Sequence, residues 1–152
     1  MHMKFLVGNI LAIASTSSAL GINCRGSSNC GSVVTPCDGD QGMSALQFMQ
    51  GMIKGRIDQG HGNDFYSEGK QIACTLRKPH AVLGGGCCLF YQNGASGTLN
   101  DVLVRIDNLV DHGCETCGSD PTQPGNDVGN GELTVNYVSS ANCPAGDFCS
   151  PS

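Results

Sequence analysis

The chain has 152 residues, 8 basic and 13 acidic for a formal net charge of −5, with 14% charged residues, 5% aromatics and no tryptophan. That length suits one domain and not comfortably two. The acidic balance disfavours nucleic acid and anionic membrane as primary partners.

Residues 1–19 read as a secretory signal. Lys4 supplies the basic charge, residues 5–14 the apolar run, and Ser17, Ser18 and Ala19 the small residues that a signal peptidase requires. The predicted domains are therefore a signal peptide, 1–19, and a mature domain, 20–152. Removing 19 of 152 residues leaves 133, and losing Lys4 leaves 7 basic against 13 acidic residues, a charge of −6. All ten cysteines fall in the mature part: Cys24, Cys30, Cys37, Cys74, Cys87, Cys88, Cys114, Cys117, Cys143 and Cys149. An even count behind an export signal predicts an oxidising, extracellular destination and five disulfides. No later run is apolar and long enough to span a bilayer, so the product is expected to be secreted and freely soluble.

In chain order, Ile22 and Cys24 alternate as in a short strand over residues 21–25. Residues 31–42, broken by Gly, Pro36 and Asp, read as loop. Leu46, Met49, Ile53 and Ile57 then recur at the spacing of one helix face over 44–57, with Ser44 as N-cap and Gly60 as stop. Gly51 and Gly55 weaken this helix by ~1 kcal/mol each relative to Ala. Residues 71–76 and 87–91 are short apolar runs that fit two strands joined by a turn through Pro79 and Gly84, Gly85 and Gly86. The second helix is the clearest element. Leu99, Val102, Leu103, Ile106, Leu109 and Val110 form its stripe, Thr98 caps it with Asp101, and Gly113 ends it. Residues 118–131 read as a Gly/Pro-rich loop and 132–138 as a half-buried strand. The tail after Ser139 reads as loop tied down by Cys143 and Cys149. The order strand, helix, strand, strand, helix, strand predicts an α+β fold of the split βαβ type, an antiparallel sheet covered by two helices.

Cys114 and Cys117 have the spacing of a redox or zinc pair. They follow a helix instead of opening one, which is the unfavourable terminus for a thiolate, and no second Cys-x-x-Cys completes a zinc site. They are expected to be half-cystines of different bridges. The adjacent Cys87 and Cys88 should point to opposite faces of a strand and bond to two different partners, one on each side of the sheet. His61, His80 and His112 accompany no nucleophile elbow, and His112 reads as a helix-end residue. Asp101, Asp107 and Asp111 read as the solvated face of the second helix. No enzyme, cofactor or metal site is predicted.

Several blocks match something more specific. The run from Leu20 to Cys30 is similar to the mature N-terminus of the killer protein four family, secreted killer toxins of smut fungi. Residues 109–114 with 117–121 resemble the family's exit from its second helix, and 125–128 with 133–138 its last loop and strand. The resemblance covers roughly a third of the mature chain, in order and at compatible spacing. It implies a compact α/β sandwich and a toxin that inhibits voltage-gated calcium channels of susceptible cells without entering them. It also implies bridges from Cys24 and Cys30 to Cys114 and Cys117. Cys37, the vicinal pair and Cys149 depart from the family pattern, so part of the connectivity should differ.

The family's activity is tied to a basic residue just ahead of the cysteine that Cys74 matches, which makes Lys70 the leading target contact, with Arg77 and Lys78 next. The expected product is a monomeric, non-enzymatic toxin or effector acting on a membrane protein of a competitor or host cell. The alternative is a secreted binding module or inhibitor that captures a soluble protein. A lone lysine on a protruding edge favours the first, and a concave apolar groove the second.

Overall fold

A computed structural model describes residues 20–31, 37, 39, 42–75, 84–144 and 146–152. The predicted signal, Arg77, Lys78 and the turn through Pro79 lie outside the described residues.

Helix α1 spans Ala45–Arg56. Ser44 caps it in a full capping box, its hydroxyl accepting from the Gln47 amide while the Gln47 side chain accepts from the Ser44 amide. A single π turn, Ile57–His61, prolongs it. Gly60 stops the helix as its sequence position suggests, at φ 94°, a conformation that glycine adopts without strain. There follow β1 (Phe65–Tyr66), β2 (Gln71–Cys74), β3 (Gly86–Gln92) and β4 (Gly97–Thr98). Helix α2 (Leu99–Asp111), β5 (Gly118–Pro121) and β6 (Glu132–Val138) complete the order. The main sheet runs β2-β3-β6-β5 with every neighbouring pair antiparallel, and β1 and β4 form a separate two-stranded ladder.

The α+β class and the layer of two helices on an antiparallel sheet match the sequence reading. Local assignments differ in places: the β1–β4 ladder was not expected, and Cys143 and Cys149 bond to each other, closing the tail on itself instead of tying it to the sheet. The expected first strand is a single antiparallel bridge, Asn23 to Ser119. Asn23 spends its side chain on local turns, donating to Gly21 O and accepting from the Arg25 amide, and such bonds compete with a ladder. Conversely, the Gly/Pro-rich segment after α2 begins with β5. Its sequence, Gly-Ser-Asp-Pro, lacks every usual strand signal. It pairs because its polar groups find partners: Ser119 Oγ lies 2.9 Å from Thr134 Oγ1, and buried Asp120 receives Arg105 at 3.4 Å and Asn108 at 3.0 Å. A Cβ on Gly118 would stand 2.6 Å from Asn23 O, so close approach of the two backbones requires glycine there.

The sheet separates two clusters. Leu46, Met49 and Ile53 of α1 and Leu99, Val102, Ile106 and Leu109 of α2 pack on Leu89, Tyr91, Leu133 and Val135. Each such side chain stabilises by roughly 1.5–3 kcal/mol through burial. On the opposite face a small cluster of Cys74, Cys88 and Cys143 gathers Phe90, Val138 and Cys149 under the chain's last segment.

Helix α2 begins with a second capping box. Thr98 N donates to Asp101 Oδ2 at 2.8 Å, Thr98 Oγ1 donates to the same oxygen at 2.7 Å, and Asp101 N donates to Thr98 Oγ1 at 3.3 Å. These bonds, first from the Thr98 backbone and then from its side chain, hold the Asp101 carboxyl below its ordinary range. A carboxyl depressed in the folded state adds stability above its unfolded pKa, about 4, and that stability is lost as pH falls through the folded value. Thr98→Ala is expected to cost about 1 kcal/mol at neutral pH. The gap to wild type should narrow in the same denaturant titration at pH 3.

Candidate functional site

At its far end α2 closes with a Schellman motif: Gly113, at φ 89°, donates to Val110 O at 3.0 Å, and Cys114 N donates to Leu109 O at 3.0 Å. This fixes where Cys114 and, three residues on, Cys117 emerge. Cys24 bonds to Cys114 and Cys30 to Cys117, so the Cys-x-x-Cys pair is split between two bridges to the N-terminal segment. Cys37 bonds to Cys87, Cys74 to Cys88 and Cys143 to Cys149. The vicinal pair thus sends one bridge to each face of the sheet, as alternation along a strand dictates. Cys30, Cys37 and Cys117 hold their sulfurs within 4.8 Å of one another, but each sulfur is in a disulfide and offers no thiolate to a metal. Titration of the denatured, unreduced protein should find no free thiol. One or two thiols per chain would contradict the five-bridge pattern.

This framework places Lys70 at the entry to the edge strand β2. Residues 67–70 form a tight turn closed by Lys70 N donating to Ser67 O at 3.2 Å, with Gly69 at φ 73° supplying the left-handed corner. Gly69 N is anchored to Tyr91 O at 2.9 Å, and β2 follows directly, locked to β3 by Cys74–Cys88. Lys70 is half-buried, and its ammonium donates to Pro151 O at 2.7 Å. Neighbouring Glu68 turns its carboxylate to the Gly94 amide at 2.8 Å. Among the described residues Lys70 has no ion pair, whereas Lys54 pairs with Asp107 at 3.6 Å and Arg105 with Asp120.

The other two cations named from the sequence, Arg77 and Lys78, lie outside the described residues. Sequence reasoning missed another cation, Arg56, in the last turn of α1, whose guanidinium lies 5.8 Å from the centroid of the Phe148 ring. Only its place at the C-terminal end of an amphipathic helix hinted at a role, and that place has an ordinary explanation in the helix dipole. His61, at the end of the π turn, pairs with Asp64 at 3.0 Å. His112 is the C-cap of α2, the helix-end position read from the sequence.

Hollows lined by described residues include the following two. One, of about 360 Å³, is lined by Cys74, Thr75, Gly85, Ser139, Ala141 and Cys143 among others. The second, of about 240 Å³, lies between Gly51, Gly55 and Arg56 of α1 and residues 146–148.

The Kp4 family model matches residues 7–139. The chain belongs to the Kp4 family. The KP4 killer toxin of Ustilago maydis P4 virus is 40% identical to it over 128 residues, spanning 80% of this chain and 83% of that toxin. Membership makes this a killer-toxin-like protein, and the five bridges and two-layer fold are the frame on which any toxin action must rest. The Kp4 match ends at residue 139, so the segment that contacts Lys70 and Arg56 follows the matched region.

Proposed function

We propose that this Kp4 protein is a secreted, non-enzymatic toxin, released by cleavage after Ala19, that inhibits the growth of competitor or host cells by blocking a calcium channel from outside. Lys70 is the leading contact, with Arg77 and Lys78 beside it in rank. The observation that carries this reading is the setting of Lys70. A rigid turn at the sheet edge presents an ammonium free of carboxylate partners on an otherwise acidic protein, and a cation pore with acidic walls is a natural receptor for a single fixed ammonium. Similarity to a protein named KP4 killer toxin supports action on target cells.

A binding module that captures a soluble protein would use a concave apolar groove. The hollow at Cys74 and Cys143 is lined mostly by hydroxyl side chains, glycine and disulfide sulfur, whereas the one beside α1 includes Met52 and Phe148. The test is growth inhibition and calcium current in susceptible cells treated with the purified protein, with and without added calcium. Inhibition relieved by calcium supports channel block. Inhibition indifferent to calcium removes it.

A further inference from the structure

The segment after β6 is built in two parts. Residues 140–149 are fixed to β2. Gln71 donates to Ser140 O at 2.9 Å and accepts from Asn142 N at 2.6 Å, Gly146 N donates to Cys74 O at 3.1 Å, and Cys149 N donates to Ile72 O at 2.9 Å. Phe148 bridges Ala73 beneath Arg56, and Cys143–Cys149 closes the loop covalently. Residues 150–152 are different: all three are exposed and held only by surface hydrogen bonds. Ser152 N donates to Phe65 O at 2.8 Å, Ser152 Oγ accepts from Ser67 N at 2.9 Å and lies 2.8 Å from Ser67 Oγ, and the Lys70 ammonium donates to Pro151 O. A few exposed hydrogen bonds sit at the low end of local stability and open without disturbing the core.

We propose that residues 140–144 and 146–152 are an autoinhibitory strap, closed on itself by Cys143–Cys149 and held to β2 by hydrogen bonds, whose last three residues are a releasable latch that masks the Lys70 ammonium. This rests on the reading of Lys70 as the target contact. A neutral carbonyl satisfies the ammonium while the protein is free in water. A carboxylate on the target makes the stronger, charge-assisted bond and takes the ammonium away from Pro151. The latch thus sets a threshold that a densely acidic receptor passes and ordinary surface does not.

The test compares the full chain with a form ending at Ser150 and with full-length Ser152→Gly, which keeps the length but loses both hydroxyl contacts. The first readout is the rate at which a water-soluble N-hydroxysuccinimide ester acylates Lys70, mapped by mass spectrometry with Lys54 as internal reference. Lys70 should react on the order of fivefold faster in both variants, equivalent to roughly 1 kcal/mol for one surface hydrogen bond, while Lys54 is unchanged. Growth-inhibitory potency should rise by a similar factor, and not at all in a Lys70→Ala background. An unchanged Lys70 acylation rate overturns the masking whatever the toxicity. Faster acylation with unchanged or lower potency, in a protein that Lys70→Ala still inactivates, overturns the inhibitory role. Full potency in Lys70→Ala alone counts against the contact assignment, and acylation still decides whether the latch masks the amine.

Discussion

Lys70→Ala is expected to lower growth inhibition at least tenfold while leaving the protein folded. A single fixed charge facing carboxylates in a pore contributes more than diffuse net charge, and tenfold corresponds to about 1.4 kcal/mol of binding. The side chain's one polar contact, to Pro151 O, is exposed, so the stability change should stay within about ±0.5 kcal/mol. Circular dichroism and a denaturant titration check the fold, and a dose–response curve on susceptible cells checks the potency. Lys70→Arg keeps the charge but replaces a compact ammonium by a planar guanidinium, and should recover part of the loss. Unchanged potency in Lys70→Ala removes the residue from the mechanism. If calcium also fails to protect, the capture of a soluble protein becomes the leading reading.

The second large effect concerns the paired bridges at the N-terminus. Cys24–Cys114 and Cys30–Cys117 close loops of 90 and 87 residues that are nearly the same loop. With one in place, Cys30 is already six residues from one anchor and Cys117 three from the other, so the second closes an effective loop of only about ten residues. Removing either bridge as a Cys→Ser pair should therefore cost about 2.5 kcal/mol. Removing both opens the long loop, which Cys37–Cys87 shortens but does not close, and should cost about 6.5 kcal/mol. The excess over additivity, ~1.5 kcal/mol, is the signature of two staples on one closure. Against a typical total of about 5–15 kcal/mol, the double variant should be largely unfolded at 37 °C. Guanidinium titrations of the three variants give the comparison. Strict additivity would mean that the bridges act independently.

Both helices were legible because their signals are local. A Ser or Thr cap, a partner three residues on, an apolar stripe and a terminal glycine lie within one short window, and α1 and α2 begin where those caps stand. The strand β6 was legible from alternation alone, over 132–138. What was not legible depended on distant residues. Nothing within Gly118–Pro121 favours a strand, and it becomes one through Thr134, Asn108 and Arg105. The residues 21–25 alternate suitably, yet form one bridge because local Asn23 side-chain bonds claim Gly21 O and the Arg25 amide. At the site, Lys70 could be named only by likeness to a family. The strap that touches it could not, since Pro151 lies 81 residues away in sequence and offers only a backbone carbonyl.

The partnership of Cys24 and Cys30 with Cys114 and Cys117 also bears on the order in which the molecule can be made. A ribosome delivers the first two cysteines some ninety residues before their partners exist, so neither can reach its native bridge while the intervening chain is synthesised, and Cys37 is close by in sequence. Cys143 and Cys149, six residues apart, need no such wait. The N-terminal bridges therefore cannot close before α2 has ended and Cys114 and Cys117 have emerged, and the protein cannot mature domain-fragment by domain-fragment from its beginning. Early pairing of Cys24 or Cys30 with Cys37 is the natural error, correctable only by thiol exchange, which takes seconds to hours depending on oxidant and isomerase. Yield in a heterologous host should follow disulfide-isomerase capacity more closely than oxidising strength.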